Sequence, residues 1–173
     1  MFELGKYIAC IAEGTAEEVI INILLDNHLL IFEREDLIEE RVLRERSASS
    51  FENRHLRKGF DGSITVFRIL DSRRENFKLS KAYQHKVNVV NIITAPEIEM
   101  LIILNEDCYF DFKKSELKPS EFCKMKLKYH SVKSKGFVTE YFSNPDILLS
   151  VIKKYTEVSN IPKGEKTLMD LIR

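Results

Sequence analysis

The sequence predicts an α/β fold: a mainly parallel sheet flanked by helices, followed by a mostly helical C-terminal part. Three observations carry this expectation. "KYIACIA" at residues 6–12 is an apolar run without alternation, as expected of a strand covered on both faces. It passes at once into a helical stripe of Val19, Ile20, Ile23 and Leu24. Further strand patterns at "SITVFRIL" and "KVNVVNII" alternate with helical ones, the arrangement that builds parallel sheets through crossover connections.

Taken in order, Thr15 is a candidate N-cap for a helix over residues 16–27, with Glu17 and Glu18 in its first turn, where negative charge suits the helix dipole. Residues 29–32 read as a second strand, and a heavily charged stretch over residues 33–58 contains a short helix around residues 51–56. The third strand, residues 64–70, is entered through "FDGS" and left through Asp71. Residues 78–85 suggest a short helix and residues 87–92 a fourth strand. In "TAPEIEMLIILNED" Thr94 is placed to cap the next helix and Pro96 suits its first turn. Beyond Asp107 lysines mix with Phe and Tyr, and helices are expected at residues 119–127, 135–142 and 146–155, with a terminal one in "KGEKTLMDLIR". The expected organisation is a core over residues 1–107 and a helical extension over residues 108–173, packed as a single unit.

Composition narrows the class. Hydrophobic residues make up 44% and charged residues 31% of 173, which excludes a disordered chain and a membrane protein. No apolar run approaches the roughly 20 residues that span a bilayer, and "MFELGKY" lacks the features of a signal peptide, so a cytoplasmic location is expected. Cys10, Cys108 and Cys123 show no CxxC spacing and read as reduced thiols, Cys10 as part of a strand core. Lys plus Arg and Asp plus Glu both number 27, so any basic site must be local.

Acids mark the ends of predicted strands. Glu13 follows the first, Asp71 the third, and Glu97 and Glu99 the fourth. Sites of open α/β sheets form beyond the carboxyl ends of their strands. Converging carboxylates repel one another unless a cation or proton offsets them, and hard oxygen ligands suit Mg²⁺ or Mn²⁺. The chemistry implied is phosphodiester cleavage or phosphoryl transfer. Each acid also has a plainer explanation: Glu13 and Glu97 as dipole acids, Asp71 as a turn residue in "DSRREN", and Glu99 as a partner of a basic neighbour.

As an ordered set these segments resemble a known family. "IAEGTAEEVIINILL" looks like the first motif of the Toprim (topoisomerase and primase) fold, in which an acid ends the first strand and a Gly-containing turn leads into a helix. "VFRILDSRREN" resembles its later apolar strand ending in an Asp-x-Asp motif. "TAPEIEMLIIL" is similar to a segment of the RloB-like and related Toprim proteins of bacterial phage-defence and mobile-element loci. The resemblance covers about residues 6–105. It implies that Glu13 serves as general acid or base or as a metal ligand, and that Asp71 holds Mg²⁺ or Mn²⁺. The sequence departs at Arg73, which stands where the family has its second acid; Glu75 or Glu97 would then supply an oxygen, and Arg73 would contact phosphate. The resemblance thus implies a Mg²⁺-dependent nuclease. The departure keeps open a degenerate module that binds nucleic acid, a nucleotide or a partner protein such as an ATPase, and a homodimer is compatible with either.

Residues 41–58 hold six Lys or Arg against two Glu, a local net of +4. Arg41, Arg44, Arg54, Arg57 and Lys58 are candidates for phosphate contacts, as is Arg74 beside Asp71. A solvated charged face explains the same stretch, with the acids of residues 33–40 offsetting it. Lys124, Lys126, Lys128, Tyr129, Lys133 and Lys135 suit either a nucleic-acid backbone or lysines snorkelling from amphipathic helices. The four His residues are scattered, and no P-loop, GxSxG or HExxH motif occurs.

Overall fold

The computed structural model describes residues 2–57, 59–73 and 76–173, together with the backbone but not the side chain of Glu97. Among them, three strands form one parallel sheet in the order β1-β2-β3: β1 Tyr7–Ala12, β2 Ile64–Leu70 and β3 Val87–Ile93. All seven residues of β2 are buried, which is why its sequence is continuously apolar apart from Thr65 and Arg68. Helices α1 Thr15–Asp26 and α2 Ala48–Phe51 lie in the first connection, and α2 runs on as a π-turn over Glu52–Leu56. After β3 come α3 Glu97–Asn105, α4 Tyr109–Ser115, α5 Pro119–Met125, α6 Lys135–Tyr141 and α7 Pro145–Val158.

Strand pleating sorts side chains into two cores. Cys10 pairs with Phe67, and both face a large cluster that takes in Ile20 of α1, Leu101 of α3, Phe142, and Ile152 of α7. Ala9 pairs with Val66 on the opposite face, over Phe51 and Leu56. The C-terminal helices therefore bury their apolar faces in the same core as β1 and α1. Burial pushes the thiols of Cys10 and Cys123 up to about 12, which keeps both as protonated core groups. No helix among the described residues is long and apolar enough to cross a membrane.

Several elements differ from expectation. Residues 29–32 are not a sheet strand. Leu30 makes an isolated antiparallel bridge to Ile172, and Ile31 N–H donates to Leu171 C=O, so this apolar run is buried against the C-terminal segment instead. Residues 78–85 form turns, closed by Tyr83 N–H to Ser80 C=O and Lys86 N–H to Tyr83 C=O. The terminal helix is a short 3₁₀ turn, Leu168–Leu171, held by a capping box between Thr167 and Asp170. Helix α4 was not expected from sequence. Gly14, not Thr15, is the N-cap of α1, and Pro96, not Thr94, that of α3.

Candidate functional site

The carboxyl edge of the sheet gathers acids from the ends of β1 and β2 and from helices α1 and α3. Past the end of β1, Glu13 N–H donates to Ile69 C=O at 2.9 Å, which continues the pairing with β2 by one residue. The half-buried Glu13 carboxylate then accepts a hydrogen bond from Asp71 N–H at 3.1 Å. Glu13 therefore ties the ends of β1 and β2 together rather than capping α1. Asp71 itself is exposed at this edge.

Glu17, read from sequence as a dipole acid, is 1% exposed and belongs to the same edge. Its carboxylate folds back over Gly14, close enough that a Cβ at that position would displace Glu17 Oε2 from this place. Thr94, just past β3, places its hydroxyl 3.3 Å from Glu17 Oε1 and 3.0 Å from Leu70 C=O. Burial raises the Glu17 pKa and the charge of Asp71 adds to this, against the opposing pull of its own backbone N–H, Lys133 and Thr94.

Lys133, in the segment between α5 and α6, is the cation of the cluster. Its Nζ lies 3.6 Å from Asp71 Oδ2 and 3.6 Å from Glu99 Oε1. Glu99, on α3, is 7% exposed, and its Oε2 has no hydrogen-bond partner among the described residues. Three carboxylates, Glu17, Asp71 and Glu99, thus surround one ammonium. Among the described residues, the acids of this cluster outnumber its cation.

The sequence-predicted basic residues fall elsewhere. Arg73 makes a bidentate pair with Glu165, at 2.7 and 2.8 Å, and donates to Ala95 C=O at 3.0 Å. It clips the β2 exit to the C-terminal segment. Arg44 pairs with Glu18, Arg54 with Glu45 and Arg41 with Glu39, while Arg57 is exposed. Lys58, Arg74, Glu75 and the Glu97 side chain lie outside the described residues. Glu17 and Thr94 are the members that sequence reasoning missed as site residues, and Lys133 was read only as one of a run of lysines suiting a nucleic-acid backbone or snorkelling from helices. Glu17 carried one signal: a second acid four residues after Glu13, on the turn of helix that faces the strand ends.

Because Arg73 is 48% exposed, its pair with Glu165 contributes modestly, below about 1 kcal/mol. Thermal unfolding of Arg73→Ala is therefore expected to shift by no more than about 2–4 °C.

Chemically, this is a parallel α/β protein with an acidic cluster and one lysine at the carboxyl edge of its sheet. Among known proteins, no family model, curated protein or solved structure matches the chain.

Proposed function

We propose that the chain is a Toprim-like phosphoryl-transfer domain acting on nucleic acid, with Glu13, Glu17, Asp71, Glu99 and Lys133 as its site. The observation that supports it most is the meeting of Glu17, Asp71 and Glu99 around Lys133, beside Glu13, where α/β sheets place their ligands. A phosphodiester is hydrolysed when a water oxygen attacks phosphorus and the bond to the leaving oxygen breaks. Glu13 lines an open cavity and is the group to accept the proton of that water. Lys133, 38% exposed, offsets charge on a phosphoryl oxygen. Glu17, which holds a proton higher up the pH scale than an ordinary carboxyl, supplies one to the leaving oxygen.

Among the described residues, no three His, Cys, Asp or Glu side chains form a group spaced to hold a metal ion. By donor chemistry the cluster nonetheless suits Mg²⁺ or Mn²⁺: its oxygens are hard, and among the described residues one on Glu99 is buried without a hydrogen bond and acids outnumber cations. Asp71 and Glu99, which share one cation position, would hold the ion, and when bound it would supply a Lewis acid toward a phosphoryl oxygen. The test is cleavage of single-stranded and duplex DNA and RNA with each ion, by wild type, Glu13→Gln and Asp71→Asn. Activity in the wild type and its loss in both variants is expected. Equal activity in all three, or none with any ion, would overturn the catalytic reading.

A second reading has its own observation. Lys133 already lies between Asp71 and Glu99, where a metal would sit, and this favours a module that binds nucleic acid, a nucleotide or a protein such as an ATPase without cleaving. Calorimetric titration with Mn²⁺ separates the two, since only the first requires binding that Asp71→Asn weakens.

A further inference from the structure

Glu13 also lines a cavity of about 270 Å³, together with Glu45, Arg46, Arg68 and Leu70 among others. We propose that this cavity is a phosphate subsite, taking the phosphate and attached sugar of a nucleotide next to the one whose ester bond reaches Glu13 and Asp71. The inference rests on the nucleic-acid reading above and deepens it by naming what the adjoining pocket holds.

Arg68 is the first reason. It stands at a core position of the central strand β2, on the face where Ile64 and Val66 are buried, and is only 3% exposed. An aliphatic residue would fill such a place at no electrostatic cost, whereas a buried guanidinium costs several kcal/mol of desolvation that its surroundings must offset. Its guanidinium lies 4.6 Å from the ring centroid of Phe77, and stacking of this kind fixes the plane of the charged group. A fixed, planar guanidinium is the group that binds phosphate oxygens in pairs.

Arg46 is the second. It is exposed at the cavity wall and makes no hydrogen bond or ion pair among the described residues, so its guanidinium remains available to a ligand. The acid beside it, Glu45, is already engaged: Arg54 lies 2.9 Å from its Oε1, His55 3.5 Å, and the Ser50 hydroxyl donates to its Oε2. Arg46 and Arg68 thus share one cavity wall with Glu13 and the already engaged Glu45. Size agrees as well. Pockets for drug-sized ligands run from about 300 to 1,000 Å³, so this one admits a phosphate with its sugar rather than a dinucleotide cofactor.

The experiment titrates inorganic phosphate and, separately, a nucleoside 5′-monophosphate into wild type, Arg46→Ala, Arg46→Glu and Asp71→Asn, followed by calorimetry. Arg46 is exposed, so its variants are expected to fold as the wild type does. The monophosphate is expected to bind the wild type and Asp71→Asn alike, about tenfold more weakly to Arg46→Ala, and not measurably to Arg46→Glu. Tighter binding of the monophosphate than of inorganic phosphate supports the sugar-bearing subsite, and equal binding overturns that part. Affinity independent of Arg46, or no binding to the wild type, overturns the proposal even if cleavage is found. Arg46-dependent binding without cleavage upholds it and removes only the catalytic reading.

Discussion

Lys133→Met is expected to reduce phosphodiester cleavage by about 10²–10³ while the protein still folds. A preorganised charge aimed at a developing oxyanion contributes on that scale, about 2.7–4 kcal/mol of transition-state stabilisation. The same substitution leaves Asp71 and Glu99 without their shared ammonium at 3.6 Å. Removing one partner of a fully buried pair costs about 3–5 kcal/mol. Here Lys133 is 38% exposed and Asp71 40%, so solvent screens much of the interaction and a cost of about 1–2 kcal/mol is expected. In a domain of this size that lowers Tm by roughly 2–8 °C. Lys133→Arg separates the two effects: it keeps the positive charge and most of the stability, but its longer, forked head misplaces that charge and activity stays low. Calorimetry and single-turnover cleavage on the three proteins check this. Full activity in Lys133→Met would remove the lysine from the site.

Part of this site was legible in the sequence, and the rest was not for physical reasons. Glu13 and Asp71 could be found because a parallel register fixes them. β1 and β2 run side by side from Tyr7 with Ile64 to Ala12 with Ile69, so the residues that follow both strands arrive at one edge. That argument needs only the strands' common direction, which the alternation of strand and helix already implied. Lys133 is different. It reaches Asp71 from 62 positions further along the chain, in a segment positioned by how α5 and α6 pack on α3 and α1, and no local pattern encodes that placement. Glu17 was hidden by a competing explanation, since a first-turn acid satisfies the helix dipole whether or not it is buried. Arg73 was misleading in the opposite sense: its sequence neighbourhood suggested a phosphate contact, while its partner Glu165 lies 92 positions away. The fold shows the same division. The three strands and the helices α1, α3, α5, α6 and α7 follow from apolar periodicity, whereas the apolar run at residues 29–32 resembled a strand because the sequence does not reveal that Ile172 will meet it.

Glu17→Gln is expected to reverse the usual relation between function and stability at this edge. Glu17 is 1% exposed, and burial, joined by the charge of Asp71, holds its pKa above the ordinary carboxylate value. Between that ordinary value and the raised one, the folded protein binds more protons than the unfolded chain. Stability therefore falls as pH rises through this window, and the full penalty persists above it. Glutamine carries no charge at any pH. It keeps one acceptor oxygen where the carboxylate serves both Thr94 and the residue's own backbone N–H, so below the ordinary carboxylate value the variant should be no more stable than the wild type. Above the raised value the buried charge is present only in the wild type, and the variant is the more stable of the two, read as a higher Tm. The quantity to measure is the difference in Tm between the two proteins across this range, at constant ionic strength. A difference that grows with pH, accompanied by lost cleavage, identifies Glu17 as a strained acid retained for its chemistry. Parallel pH profiles would mean that Glu17 ionises as an ordinary surface acid does, and its role as proton donor would fall with them.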